Sequence, residues 1–335
     1  MALDTGFYSL KQFDVAYKAE TTLGTANVAT MLEVNIDDWP AVDFGVERSM
    51  EVRHGEGRTP KKADIFVNAQ GKQKGINITG LYDSTIGADL LENVIGEVVG
   101  SSPASFDIPF NYTGPEVKHG DTDSDNTGAF TIALVSPEGS NSYILPGCVC
   151  NRFKLMANGA EDGGRFHFES DFVSRHNWSV EQAAPGSRTA YGAVSGHKTL
   201  YDLNGASAVF QVGGVDVSIY KLEIEIISNV RFIGFGVSGI PDQIARALPG
   251  FEVSILVGLK YDANSDALSA QQLNENDIIV ALHNNVWASA TFGVLANYCQ
   301  ISEDFDITEQ EDGAFIDVPL KCFAHTSGDV IQIVP

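Results

Sequence analysis

Apolar residues fall at every second position over 253–259, at Val253, Ile255, Val257 and Leu259, and this period of two predicts a strand. The same alternation at Leu222, Ile224 and Ile226 predicts a second strand within 215–230. Further strands are expected at 64–69, 76–81, 129–135, 142–157, 165–174, 208–212, 278–283, 288–295, 300–308 and 314–326. The turn at Gln70 and Gly71 predicts that 64–69 and 76–81 form a hairpin. Over 85–98 the spacing changes: Ile86, Leu90, Leu91, Val94, Ile95 and Val98 share one helical face, with Ser84 or Thr85 as cap. A shorter helix is predicted within 237–249, from IPDQIARALPG, and a polar or helical segment over 265–275. Residues 32–46 carry strand-like patches interrupted at Trp39 and Pro40. Residues 1–30 read as an arm, 100–128 as a polar insertion or long loop, and 175–206 as an irregular link. The chain is therefore expected to be mainly β with minor α, one modest helix packed on a sheet in each half.

The halves echo one another. GLYD at 80–83 and GLKYD at 258–262 both follow a predicted strand, and their Tyr-Asp pairs are offset by 179 (261 − 82). FTIAL at 130–134 matches IIVAL at 278–282 at an offset of 148 (278 − 130). The difference of 31 (179 − 148) is close to the length of 100–128, which then reads as an insertion in the first copy. Cys148 and Cys150 lie near the place of Cys299, and 168–176 corresponds to 318–325 as an alternating strand. Elements recurring in one order predict a divergent duplication of about 150 residues per copy.

Composition narrows the function. The 335 residues suffice for two domains with their own cores, and 33 glycines with 4 methionines favour strands and turns over helical bundles. Forty-four acids against 21 bases give a net charge of −23, which disfavours tight binding to nucleic acid or an anionic membrane. The N-terminus lacks an apolar signal core and no run reaches the length of a membrane span, so synthesis in the cytoplasm is expected.

The chemical motifs are weak. DTDSDNTG at 121–128 resembles the start of a calcium loop, but its sixth position is Asn126 and its twelfth Ile132, so a solvated loop is favoured. Cys148 and Cys150 have no second close pair to complete a zinc site, and buried thiols are expected. The seven histidines are scattered, with His167 read as a surface residue. There is no HExxH, no complete GxSxG and no phosphate loop. The acidic run Glu303, Asp304, Asp306, Glu309, Glu311 and Asp312 contains no base; it reads as a solvated turn, a glycosidase-like carboxylate pair or an acidic wall facing a polyanion. No catalytic residue, cofactor or metal ligand is assigned, and a non-enzymatic role is expected.

The hairpin-like DIFVNAQGKQKGINITGLYD, the helix IGADLLENVIG, GCVCNRFKLMANGAEDGGRFHFESDFV and IPDQIARALPGFEVSILVGLKYD together resemble the tail tube (major tail) proteins of long-tailed bacteriophages, in the form with two tandem tube domains. The resemblance spans roughly 30–335 and lies in pattern and order. It implies β-sandwich or half-barrel domains, each with a flanking helix: an arm at 1–30, a first domain at 31–180 with the insertion near 100–128, a linker at 181–206 and a second domain at 207–335. It implies a virion structural protein whose copies close into rings, three chains giving six quasi-equivalent domains, stacked as a tube that passes double-stranded DNA without binding it tightly. Tape measure, tail terminator and distal tail proteins are the implied partners. The basic residues Arg53, Arg58, Lys61, Lys62, Lys72 and Lys74 are expected to meet an acidic surface near Glu303, Asp304 and Asp306 on a neighbouring ring. The competing expectations are a carbohydrate-binding, fibre or capsid-decorating β protein, resting on the acidic clusters and on Trp39, Trp178 and Trp287, and a tail terminator.

Overall fold

The computed structural model describes residues 12–21, 24–43, 46–52, 65–71, 74–95, 103–109, 129–137, 142–182, 188–189, 196–233, 243–246, 251–269, 277–310, 313–324 and 329–335. In chain order the first half holds β1 (Asp14–Ala19), β2 (Met31–Val34), β3 (Ala41–Asp43), β4 (Val46–Val52), β5 (Ile65–Gly71), β6 (Lys74–Leu81), α1 (Ser84–Ile95), β7 (Phe106–Pro109), β8 (Phe130–Val135), β9 (Ser142–Asn158), β10 (His167–Ser174), β11 (Ser179–Gln182) and β12 (Arg188–Thr189). The second half holds β13 (Val209–Val212), β14 (Val215–Asp216), β15 (Ile219–Ile227), β16 (Val230–Ile233), β17 (Gln243–Arg246), β18 (Glu252–Lys260), α2 (Ala263–Ser269), β19 (Ile278–His283), β20 (Gly293–Ile301), β21 (Ile307–Gln310), β22 (Gly313–Cys322) and β23 (Asp329–Val334). The chain is mainly β with minor α, as its period-two pattern predicts.

The two halves pair their strands in the same order. Four strands run β3–β6–β10–β9 in the first and β15–β18–β22–β20 in the second, the second extended by β21 beside β22. β1 pairs with β8 as β13 pairs with β19. The short hairpins β4–β5 and β16–β17 occupy the same place in the order, each a two-stranded sheet of its own. The registers agree as well. Phe168 opposes Gly80 and Ile316 opposes Leu259, at offsets of 148 (316 − 168) and 179 (259 − 80). Phe130 opposes Cys148 and Ile278 opposes Cys299, with a register shift two residues further along in both. The equivalent of 168–176 is therefore 316–324, two residues earlier than the sequence comparison places it, because the strand register and not the histidine fixes the match.

The helix caps repeat too. Asp83 Oδ1 accepts from the backbone N–H groups of Thr85 and Ile86 at 2.7 and 2.9 Å, and Asp262 Oδ1 accepts from those of Asn264 and Ser265 at 2.9 and 3.0 Å. Each satisfies donors that the first helical turn leaves orphaned. Tyr82 is fully buried, and a Cβ on Gly87 would lie 2.2 Å from its hydroxyl. In the second half the residue 179 further on is Asp266, and Tyr261 donates to its Oδ1 at 2.8 Å. Glycine in the first helix thus makes room for a fully buried ring, where the ring of the second half is only partly buried.

Several predicted elements change. β5 and β6 form no hairpin: β5 pairs with β4, because both edges of β6 are taken by β10 and β3. Gln243–Arg246, inside the predicted helix of the second half, is the strand β17, since pairing with β16 satisfies its backbone. The stretch read as an arm contains β1, which buries Val15 and Tyr17 between β2 and β8. The stretch read as an insertion contains β7, whose Phe106 and Ile108 are buried and which pairs with β23 near the C-terminus. The stretch read as a link contains β11 and β12. Residues 110–128, with the calcium-like motif, lie outside the described residues.

Where length alone suggests two separate cores, one apolar cluster runs through both halves. Phe292 of the second half packs on Phe166 and Tyr82 of the first, with ring centroids 5.2 and 6.4 Å apart. All four cysteines are buried thiols.

β9 is 17 residues long because it serves two layers. Its first part pairs with β8 and β11 and its second with β10 and β15. Gly147, at φ +66°, lies near the corner. Its N–H donates to Glu20 Oε1 at 2.8 Å, and the buried Glu20 also accepts from Thr131 and the Gly24 N–H. Burial nonetheless raises the Glu20 carboxyl above its ordinary range, against those hydrogen bonds. His176 lies against Gly24 and Gly147, and burial, with the Arg175 charge second, pushes its imidazole down to about 4.

Two measurements check this construction. Asp83→Ala and Asp262→Ala are each expected to cost about 1 kcal/mol in urea denaturation, as lost caps do. A depressed histidine binds its proton more weakly in the folded state, so its contribution is present above the unfolded value near 6.5 and is lost as pH falls toward about 4. The stability gap between wild type and His176→Gln is therefore expected to narrow, by about 1–2 kcal/mol after allowance for partial solvent screening, between pH 7 and pH 4.

Candidate functional site

The two four-stranded runs join edge to edge. β9 is the last strand of the first run and β15 the first strand of the second, and they pair antiparallel over seven residues, Arg152–Asn158 with Lys221–Ile227. Alternation sends Phe153, Leu155 and Ala157 on β9, and Leu222, Ile224 and Ile226 on β15, to the buried side, each at most 4% exposed. The intervening residues face outward, and five of them, Arg152, Lys154, Lys221, Glu223 and Glu225, carry charge.

That outward face is a ladder of ion pairs across the seam. Asn77 on β6 donates to Asp171 and Glu169 on β10 at 2.6 and 3.2 Å. Arg152 on β9 reaches Glu169 at 2.8 Å on one side and Glu225 on β15 at 2.5 Å on the other. Lys154 pairs with Glu223 at 2.7 Å, and Glu223 also meets Lys221 at 3.1 Å. Lys221 and Tyr220 extend over β18 to Asp317 on β22. Gly258 of β18 allows the crossing: a Cβ there would lie 2.6 Å from the Lys221 Cβ and 2.9 Å from the Tyr220 ring. Five carboxylates (Glu169, Asp171, Glu223, Glu225, Asp317) stand with three bases (Arg152, Lys154, Lys221) in this ladder.

The partners fix the ionisation states. Burial opposes the Arg152 charge, but the hydrogen bonds to Glu225 and Glu169 outweigh it and hold the guanidinium charged. Burial likewise works against the Glu223 carboxylate, and the bonds from Lys154 and Lys221 hold it below its ordinary range. An open groove of ≈ 240 Å³ lies over this face, lined among others by Lys154, Glu223, Glu225, Ser254 and Glu303, with no aromatic ring in its lining.

The predicted contact residues separate into three groups. Arg53, Arg58, Lys61, Lys62 and Lys72 lie outside the described residues. Lys74, at the start of β6, is 5% exposed, and burial lowers its ammonium against the field of Asp43. Glu303, Asp304 and Asp306 are exposed, between β20 and β21 at the far edge of the second run. The tryptophans are absorbed locally: Trp178 is buried with its indole N–H on the Asp43 carbonyl, Trp39 packs on Phe13, and Trp287 stands against His283. His167, read as a surface residue, is bonded to Asp37 at 2.7 Å and Asp162 at 3.2 Å. Arg152, Lys154, Glu223 and Glu225 escaped the sequence reading. Their only signal is alternate spacing on two strands 71 residues apart (225 − 154), which shows no pairing until the seam is known. No protein-family model matches the chain, and neither does any curated protein.

Arg152→Ala strands Glu169, Asp171 and Glu225 together on a half-buried face. It is expected to cost about 1–2 kcal/mol in chemical denaturation, and adding Glu225→Gln is expected to recover part of that loss in a double-mutant cycle.

Proposed function

We propose that this chain is the structural subunit of a phage tail tube, assembling with copies of itself into rings that stack around a channel for double-stranded DNA. The observation that carries the reading is the internal seam. Each half is a four-stranded run with a first and a last edge, and within the chain the last edge of one accepts the first edge of the next. The same two kinds of edge stand at the ends of the eight-strand run, β3 on one side and β20–β21 on the other. A head-to-tail contact that repeats and closes makes a ring, and three chains supply six equivalent runs.

The charged face fits the channel side of such a ring. In its ladder five carboxylates stand with three bases, and Arg152, Lys154 and Lys221 are held in ion pairs instead of standing free for phosphate. Among the described residues, no helix is long and apolar enough to cross a membrane, and the virion is the proposed location. Tape measure, terminator and distal tail proteins are the proposed partners at the tube and its ends.

The carbohydrate-binding reading is the alternative and rests on the acidic clusters and on Trp39, Trp178 and Trp287; Glu303 lines the groove over the charged face and the three tryptophans do not. A tail terminator shares the ring but not unlimited stacking. Negative-stain electron microscopy with size-exclusion chromatography tests the proposal. Three-chain rings or hollow tubes are expected; a monomer at every concentration overturns the reading, and rings that never stack favour a terminator.

A further inference from the structure

The internal seam predicts its own continuation between chains, residue by residue. β15 corresponds to β3 at an offset of 182: Ile226 opposes Val253 on β18, and Asp43 opposes Gly75 on β6, which matches Ser254, the partner of Glu225. The end of β9 corresponds to β21 at an offset of 152, since Leu155 opposes Phe168 and Ile307 opposes Ile316. Carried through both offsets, the Leu155–Ile224 pair of the internal seam becomes Ile307 against Val42 of a second copy. Met156–Glu223 becomes Thr308 against Ala41, and Lys154–Glu225 becomes Asp306 against Asp43.

The apolar member of that set is already in place. Leu155 is 3% exposed under β15, while Ile307 is 53% exposed, the same strand position with nothing laid beside it. Among the described strands, β21 pairs only with β22 and β3 only with β6, so the other edge of each has no described strand beside it. Such edges are templates for strand addition.

The charged member is inverted. On the internal seam, residues 152–158 bring Arg152 and Lys154 to the carboxylates of β15. At the matching edge the chain carries Glu303, Asp304, Asp306 and Glu309 and no base, and it faces an edge that ends in Asp43. The seam is also shorter: β3 is three residues long and Pro40, just before it, has no N–H to add to the ladder, against seven paired residues within the chain.

We infer that the β21 edge of one copy takes the β3 edge of a second copy, antiparallel, with Ile307 on Val42, Thr308 on Ala41 and Asp306 on Asp43, and that carboxylates facing each other across this seam set the ionic strength at which copies join. The inference rests on the ring reading and adds to it a register and a control. Two carboxylates in direct opposition repel, and screening acts over about 10 Å at 0.1 M salt. The internal seam, with its opposite charges, holds regardless. Copies therefore stay apart in dilute salt and join as salt is raised.

Two sets of variants test this on the full chain. Ala41→Cys combined with Thr308→Cys is expected to give disulfide-linked multimers under oxidation in assembled material, and Ala41→Cys with Asp304→Cys, four residues out of register, is not. Asp306→Lys and Asp43→Lys, each alone, set opposite charges against each other and are expected to lower the salt needed for assembly. The double variant sets two lysines against each other and restores like-charge repulsion, so it is expected to need more salt than either single variant, as wild type does; a double variant that assembles in less salt than both singles overturns the direct opposition of the two positions. Rings or tubes that form without the in-register cross-link overturn the register while the ring reading stands. Cross-linking with no change in salt dependence in either single variant overturns the charge control. Absence of both assembly and cross-link removes the ring reading and this inference together.

Discussion

The pairing of β9 with β15 is the contact on which the architecture turns. It joins two four-stranded runs into one sheet and continues one apolar layer beneath them. It also sets the outward charges of two distant segments against each other, Arg152 on Glu225 and Lys154 on Glu223. Backbone hydrogen bonds and buried alternate residues supply the attraction. Each such bond contributes about 1 kcal/mol net, and the apolar side chains beneath contribute about 1.5–3 kcal/mol each on burial. The ion pairs add less to stability than to register, because a slip of one residue would turn Arg152 into the core and Phe153 toward water.

A duplicated chain can place its copies side by side in many ways. Here the second copy continues the first in sheet order, last edge to first edge. That choice leaves unlike edges at the two ends, and unlike edges are what head-to-tail association requires. Exposed strand edges are ordinarily blunted by charge, shortness or proline. β3 has three residues with Pro40 before it, and the β21 edge carries a run of acids. The same features that keep a lone chain from aggregating thus limit how readily two chains join.

Local signals in the sequence were legible and long-range pairings were not. The Tyr-Asp offset of 179 marks equivalent caps, Asp83 and Asp262, although the spacing alone points to Ser84 or Thr85 in the first half. The offset of 148 recovers β8 and β19, because five consecutive residues, FTIAL and IIVAL, keep their pattern. The predicted hairpin of β5 and β6 fails because neighbours in sequence need not be neighbours in a sheet whose edges are already occupied. The predicted helix over IPDQIARALPG fails at Gln243–Arg246 for a related reason: spacing over so short a window fits a helix or a strand, and the partner β16 decides. β7 was hidden for want of a partner in view, since β23 lies more than two hundred residues away.

The charge pattern carries the most functional information, and it becomes readable only after the fold is known. A net charge of −23 says only that the chain repels polyanions. Divided by position it says more. On the outward face, Arg152, Lys154 and Lys221 are each matched to carboxylates, and five carboxylates stand with these three bases in the ladder. At the β21 edge Glu303, Asp304, Asp306 and Glu309 are exposed, where the equivalent edge of the first half has Arg152 and Lys154. Edges at matching positions of the two halves therefore carry opposite sign. On the proposed assembly the difference has a reason: an edge joined within the chain is held by tethering and gains from attraction, whereas an edge exposed on every free copy must not join before assembly begins.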